Sequence, residues 1–236
     1  MTEAVVADNA PFAEKLLDRG ILFGDSYVRV VLDAHSMRCM TLFLDRGFDL
    51  NKPDGVSCMP VWGTSRAVTT DRGLLYWLLE RGANLNVDAK WDSTTPMSHV
   101  VKSAAPDLVR DLLDDSRDLV DLYKGDLLYH ALKRKTDIVT VLGLLLDHGA
   151  PINDGLYARH PGAQNMFFFM PRGPPLHEAA EDGQLEAVCY LLSRHADVTV
   201  RDTQNKTALD YAQKQGHADI AAVLQKAMAE SSVQHL

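Results

Sequence analysis

Pairs of adjacent bulky apolar residues recur along the chain, and each pair is followed by polar residues and a residue suited to ending a helix. The six occurrences are Leu16–Gly20, Phe43–Gly47, Leu78–Gly82, Leu112–Ser116, Leu145–Gly149 and Leu191–His195. Their last residues are 27, 35, 34, 33 and 46 positions apart in chain order. Glycine readily adopts the left-handed conformation that terminates a helix. The pattern therefore predicts six helix ends at a nearly regular interval.

A second pattern predicts the helix that precedes each of these ends. Pro174–Gly183 recurs as Thr207–Gly216, and four pairs of like residues are 33 positions apart: Leu176 and Leu209, Ala179 and Ala212, Gly183 and Gly216, and Leu191 and Leu224. A hydroxyl or carboxylate residue before the first apolar position caps a helix, and proline at the first helical position loses no hydrogen bond. The predicted capping positions hold Ser26, Thr95, Asp126 and Thr207. Each period is thus expected to form two helices joined by a turn.

These residues resemble the ankyrin repeat, a unit of about 33 residues in which the motif Thr-Pro-Leu-His-x-Ala opens the first of two helices. The resemblance covers roughly residues 10–228 and implies an all-α solenoid of helix-turn-helix units, about six repeats including capping repeats. We expect one domain over residues 1–236. Its predicted parts are an N-terminal half-repeat (10–22), repeats over 23–205 with an insertion at 153–173, a C-terminal capping repeat (206–228) and a tail (229–236).

The motif histidine is present once, as His177, and in the family this residue helps tie adjacent turns together. The corresponding positions of the other units hold Arg29, Trp62, Ser98, Tyr129 and Asp210. The resemblance therefore implies that these degenerate units are held together more by apolar packing than by the usual hydrogen bonds.

Charge and targeting signals limit the classes of partner. The formal net charge is −8, from 24 Lys and Arg against 32 Asp and Glu, which disfavours nucleic acid and anionic membrane surfaces. The N-terminus has no basic start before an apolar core, and no apolar run approaches the length that spans a bilayer. Cys39, Cys58 and Cys189 are far apart and have no metal-ligand spacing, so we expect reduced thiols. We expect a cytoplasmic protein, with the nucleus as the alternative, and no membrane partner.

The resemblance also implies that partners bind the concave surface formed by the turn tips and the exposed side of each first helix. Aligned on the motif, this surface carries a stripe of Arg66, Lys102, Lys133 and Arg134. The stripe could receive a carboxylate, a phosphate or an acidic peptide. The alternative is that these long side chains are simply well-solvated helix residues.

The insertion holds five consecutive large apolar residues, Met166–Met170, flanked by Tyr157, His160 and Arg172. Soluble proteins avoid exposing such a patch, so the segment is expected to fold over the groove or to present an anchor to a partner. A β-hairpin that plugs a gap with Phe168 is the structural alternative. Strand alternation would make Phe167 and Phe169 behave alike and Phe168 differently.

Trp91 lies in a predicted turn tip, where an exposed tryptophan is a favoured interface anchor. Trp62 and Tyr129 lie on predicted first helices and are expected to be packing residues.

Two classes of function remain open. The first is a non-catalytic scaffold that recognises a protein or peptide partner, such as an acidic one, through Trp91, the basic stripe and the aromatic insertion; an assembly chaperone or inhibitor differs only in its partner. The second is an enzyme or carrier for an apolar small molecule, with a pocket lined by Phe167, Phe168, Phe169, Trp62 and Tyr129. In that case His160, His177, Tyr129 and Arg172 would be the acid, base or orienting groups of a cofactor-independent isomerase or cyclase. The sequence holds no recognised catalytic, cofactor or metal motif, so no cofactor or metal is expected.

Overall fold

The structure is a computed structural model that describes residues 1–22, 24–55, 59–89 and 92–234. Cys58 and Trp91 lie outside the described residues. Within these ranges the chain forms fifteen α-helices and one 3-10 helix, and it contains no strand beyond an isolated bridge between Pro53 and Pro60. The elements are α1 (Thr2–Val6), α2 (Ala10–Asp18), α3 (Asp25–Asp33), α4 (Met37–Asp45), the 3-10 helix (Val61–Thr64), α5 (Arg66–Thr70), α6 (Arg72–Glu80), α7 (Pro96–Ser103), α8 (Pro106–Leu113), α9 (Leu127–Leu132), α10 (Ile138–Asp147), α11 (Pro161–Met166), α12 (Pro175–Glu181), α13 (Leu185–Ser193), α14 (Ala208–Gln215) and α15 (Ala218–Gln234).

The helices form a stack of pairs. The first helix of each unit packs against the first helix of the next, in the order α1, α3, the 3-10 helix with α5, α7, α9, α12 and α14. Second helices also pack against one another, as α2 does with α4, α8 with α10, α10 with α13 and α13 with α15. The predicted all-α solenoid of helix-turn-helix units is confirmed.

Both ends of the stack differ from the predicted boundaries. The first unit is a full helix pair, because α1 precedes α2 and buries Ala4 and Val5, with 2% and 0% exposure, in a packing against α3. The half-repeat predicted at 10–22 is therefore too short. At the other end, α15 continues to Gln234, so the segment predicted as a tail from residue 229 extends the last helix.

The capping predictions hold where the side chain is free to turn back on its own helix. Thr95 and Thr207 each form a reciprocal capping box with the residue three positions later, Ser98 and Asp210 respectively. Ser26 is not a cap, because α3 begins at Asp25. Asp126 precedes α9 but makes no side-chain cap, since its carboxylate binds elsewhere. Local capping chemistry thus identifies two of the four starts.

Short polar side chains link the turns of successive units. Asn51 donates from Nδ2 to the Gly82 carbonyl at 2.8 Å and accepts from the Asn84 backbone N–H at 2.8 Å. Asn86 makes the same pair of bonds one unit later, with the Leu119 carbonyl and the Asp121 N–H. These amide bridges add hydrogen bonds between the degenerate units to the expected apolar packing.

His177 makes the link between turns that the resemblance implies. Its Nε2 hydrogen-bonds the Lys206 carbonyl oxygen at 3.0 Å, across to the turn before α14. The ring is buried, and this burial lowers the pKa of His177, so the bond is made by the neutral imidazole. One histidine and two asparagines thus perform the same structural task in different units.

Ion pairs connect the ends of second helices. Arg46 contacts Glu14 at 3.0 Å and Asp18 at 2.8 Å, and Arg194 contacts Asp147 at 2.7 Å. Exposed pairs of this kind contribute only about 0–1 kcal/mol each. They help to hold neighbouring units in register, while burial of apolar side chains supplies most of the stability.

The register of the stack can be tested at Ala179, which is fully buried between first helices. Ala179→Asp would bury a carboxylate without a partner, so we expect the C-terminal units to unfold or to lose several kcal/mol, about 3 kcal/mol or more. Ala222→Asp is the matched control, because Ala222 is exposed on α15. Urea unfolding followed by circular dichroism measures both variants. Equal stability of the two variants would show that the register is wrong.

Candidate binding site

The C-terminal ends of three successive first helices, α5, α7 and α9, surround a groove with a volume of about 480 Å³. Its lining is cationic and hydroxylic, with one histidine and no aspartate or glutamate among the residues that form it. These residues are Thr64, Ser65, Arg66, Thr69, Thr70, His99, Lys102, Ser103, Lys133, Arg134, Lys135 and Thr136. All four residues of the stripe proposed from the sequence therefore line one cavity, but their side chains are engaged in different ways.

Arg134 is buried, with 8% exposure, where the sequence predicted a solvent-facing side chain. Its guanidinium donates to the carbonyl oxygens of Val101, Ala104 and Thr136; the distance from Nη2 to Ala104 is 2.8 Å, and that from Nε to Thr136 is 3.1 Å. The correction has a simple cause. Helix α9 ends at Leu132, so the chain turns and directs Arg134 under the C-terminal end of α7. Burial lowers the pKa of Arg134.

Lys133 lies at the edge of the groove but is bound by carboxylates of the next first helix and its end. Its Nζ contacts Asp182 at 2.6 Å and also contacts Glu178. Partial burial lowers the pKa of Lys133, but the hydrogen bonds to Asp182 and Glu178 outweigh that effect, and the pKa is raised overall. Lys133 thus links α9 to α12, and its positive charge is already compensated by two carboxylates within the fold.

Three other cations remain available. Arg66, Lys102 and Lys135 are exposed and line the groove. None of the three has an ion-pair partner within the part of the chain that the structure describes. Lys135 was missed in the sequence reading. The run Lys133-Arg134-Lys135 could have indicated Lys135 as a groove residue. Where the side chain of one residue in such a run is buried, that of the next points to solvent.

Two histidines lie in or behind the groove. His99 is part of the lining, and its pKa is lowered by burial and by the charge of Lys102. The pKa of His130 is lowered to about 4, first by burial and then by the neighbouring His99 and Lys102. Both rings are therefore neutral at neutral pH. They add no charge, and their shifts agree with a locally positive environment.

The aromatic insertion forms a short helix and turn instead of the hairpin considered from the sequence. Phe167 stacks on Tyr157, with ring centroids 5.3 Å apart, and is partly buried. Phe168 and Phe169 pack edge to face and are 73% and 64% exposed. The expectation from strand alternation is wrong, because Phe167–Phe169 form a turn after α11. Phe168 and Phe169 share one environment, and Phe167 has another.

Several polar residues of the insertion hold its shape. His160 Nδ1 accepts from the Ala163 N–H at 2.9 Å and caps α11, and Arg172 donates to the Gln164 carbonyl at 2.9 Å. The Tyr157 N–H donates to Asp126 at 3.2 Å. Asp126 also accepts from the Ser93 hydroxyl, and burial raises the pKa of its carboxyl group. These contacts attach the insertion to the stack.

The residues considered for an enzyme or carrier do not share one pocket. Trp62 is fully buried and donates to the Leu50 carbonyl at 2.8 Å, which agrees with its expected packing role and removes it from any pocket lining. The insertion does cover a smaller cavity of about 260 Å³. This cavity is lined by Tyr129, Leu156, Met170, Pro171, Gly173, His177, Glu178, Glu181 and Tyr211. Tyr129 and His177 are included, whereas His160, Arg172 and the three phenylalanines are not.

Tyr129 and His177 are themselves constrained. The Tyr129 hydroxyl donates to the Gly173 carbonyl, and burial raises the pKa of Tyr129.

Among the described side chains, no cluster of three or more residues is arranged to hold a metal ion. Over the same residues, no helix combines the length and apolar character needed to cross a bilayer.

Comparison with known proteins agrees with this architecture. A family model described as ankyrin repeats, in three copies, matches residues 162–235. Human Espin-like protein is 46% identical over 54 residues, which are 23% of this chain. The chain spans about 5% of the length of that relative. Residues 162–235 therefore match ankyrin repeats, as the sequence resemblance indicated, and such repeats indicate a protein-interaction scaffold.

The structural role assigned to Arg134 predicts a contrast with Lys102. Arg134→Met should lower the free energy of unfolding by about 2–3 kcal/mol, because buried carbonyls at the end of α7 lose a charged donor. Lys102→Met removes a charge from the same groove and should change stability by no more than about 0.5 kcal/mol. Urea denaturation compares the two variants. An unchanged Arg134→Met protein would mean that these carbonyls do not depend on the guanidinium.

The environment of His130 predicts acid sensitivity. Its pKa is lowered to about 4 in the folded chain, so the unfolded chain binds more protons between that value and the ordinary value of 6.5. Stability should therefore be full above this range and fall as the pH decreases through it, by up to about 3 kcal/mol. His130→Gln should reduce this pH dependence. Unfolding free energies measured at about pH 7 and pH 4.5 for both proteins provide the test; identical slopes would contradict the assignment.

Proposed function

We propose that the chain is a non-catalytic scaffold that binds an acidic segment of a protein partner. The groove with Arg66, Lys102 and Lys135 would receive the acidic residues, and the exposed Phe168 and Phe169 would supply an apolar contact. The observation that carries the proposal is a groove lined by cations and lacking carboxylates, in a chain whose formal net charge is −8.

Electrostatics supports an anionic partner at this groove. Like charges that converge without counterions repel one another, and a bound anion relieves that repulsion. The three free cations come from three successive units, so an extended segment crossing these units could meet them in turn. Cationic surfaces of this kind also increase the association rate of acidic partners and favour them over basic ones.

The exposed phenylalanines favour a contact with a macromolecule. Phe168 and Phe169 lie next to Met166 and Met170, which are 45% and 36% exposed. A cluster of exposed apolar residues costs solubility unless a partner covers it, and aromatic residues are frequent among the side chains that dominate binding energy. In the chain, the insertion directly follows the helix pair α9 and α10, which forms the last unit of the groove.

The proposal can be tested by quantitative capture of partners with the whole chain and matched variants as bait. Lys102→Glu and the double variant Phe168→Ala, Phe169→Ala should each lose about 90% of a partner that the unmodified chain retains, because they remove charge attraction and apolar burial respectively. Lys226→Glu is the control, since Lys226 is 79% exposed on α15, away from both features. If the unmodified chain and the three variants retained the same partners equally, neither the groove nor the exposed phenylalanines would be the binding surface.

Binding of a small molecule is the second candidate, and the cavity of about 260 Å³ under the insertion favours it. That volume is below the range of about 300–1,000 Å³ usual for ligand pockets. Glu178 and Glu181 also line it, which suits an apolar ligand poorly. Native mass spectrometry of the purified chain would detect a retained ligand as an added mass.

A further inference from the structure

The cationic side chains of the groove fall into two sets, those paired within the fold and those without an ion-pair partner among the described residues. The chain itself satisfies Lys133 with two carboxylates and Arg134 with three carbonyl oxygens. It provides no such partner for Arg66, Lys102 or Lys135 among the described residues, although acidic residues outnumber basic ones by 32 to 24 in the chain. Three positive charges therefore converge on one solvent-accessible cavity without compensation.

The uncharged residues of the lining do not compensate the positive charges of Arg66, Lys102 and Lys135. Thr69 and Thr70 donate their hydroxyl protons to the Arg66 carbonyl, at 3.0 Å each, and bring no negative charge to the wall. The exposed Ser103 adds a hydroxyl beside Lys102. The buried guanidinium of Arg134 adds a fixed positive charge behind these side chains. The groove thus offers several positive donors, and none of its lining residues is an aspartate or glutamate.

The number and type of donors match a phosphoryl group better than a single carboxylate. A carboxylate carries one negative charge, whereas a phosphorylated serine or threonine carries about −1.5 to −2 at neutral pH and three acceptor oxygens. Arginine adds a planar fork that can bind two of those oxygens at once, and lysine adds a compact charge. One phosphoryl group could therefore neutralise most of the charge that the chain leaves uncompensated.

We propose that the groove formed by Arg66, Lys102, Ser103 and Lys135 binds the phosphoryl group of a phosphorylated serine or threonine in a partner segment. This inference rests on the proposed function, since it specifies the acidic group that the scaffold recognises. Arg66 would bind two phosphoryl oxygens, and the two lysines would contact the group from the neighbouring units. Partner binding would then depend on the phosphorylation state of the partner.

The test uses the full chain and three labelled peptide pools with the same random flanking residues. Their central positions hold phosphoserine, serine, or two adjacent glutamates as a charge-matched control. Fluorescence anisotropy at fixed ionic strength should show the phosphoserine pool binding about tenfold more tightly than either other pool. Lys102→Glu and Lys135→Glu should each weaken it by about tenfold or more, whereas Lys226→Glu should leave it unchanged.

Arg66→Lys separates fork binding from charge alone. It keeps the charge but removes the bidentate geometry, so it should weaken binding of the phosphoserine pool although the net charge of the groove is unchanged. Circular dichroism and thermal melting of every variant confirm that the fold is retained.

The outcomes distinguish this inference from the proposed function. Equal binding of the glutamate and phosphoserine pools, with both lost in Lys102→Glu, would overturn phosphoryl recognition and leave the acidic-segment scaffold standing. Equal effects of Lys226→Glu and Lys102→Glu would show that only the overall charge matters and would overturn the site. Failure of every pool to bind would count against both.

Discussion

The structure depends on one constraint: no helix pair can bury its apolar face by itself. Each first helix must pack against the next, and small residues allow a close approach, as at the fully buried Ala131, Ala179 and Ala212. This stacking sets the distance and register between units. The ends of successive first helices then meet side by side, and the groove exists because of that alignment. Anything that breaks the stacking also dismantles the candidate site.

Within the groove, the same residue types perform structural and exposed roles. Arg134 acts as a donor for the carbonyls at the end of α7, and Lys133 joins α9 to α12 through two carboxylates. Both charged groups therefore link neighbouring units of the stack. Arg66 and Lys102 are left open to solvent, where a charge contributes little to folding and can serve binding. Burial explains the role of Arg134, because a buried charge must be satisfied within the fold and an exposed one need not be. Lys133 is exposed and is paired because Glu178 and Asp182 of the next unit lie within reach.

The insertion shows a similar division. Its base is held by Asp126, which accepts hydrogen bonds from Ser93 and Tyr157, and its short helix is capped by His160. Phe168 and Phe169 play no part in these contacts and remain exposed. The segment is therefore attached to the stack through its base and leaves two aromatic rings exposed. In the proposed scaffold, a fixed shape of this segment would reduce the entropy lost when a partner binds.

The sequence by itself determined the repeat, the all-α class and the helix ends and caps such as Thr95 and Thr207, because these depend on residues within a few positions of one another. It also selected four of the five lysines and arginines that line the groove and missed Lys135. Only the tertiary structure decided what those residues do. The carbonyl of Val101 that binds Arg134 is 33 positions away, and the carboxylate of Asp182 that binds Lys133 is 49 positions away. Burial and pairing arise between units, and a local pattern carries no information about which distant group will occupy the same space.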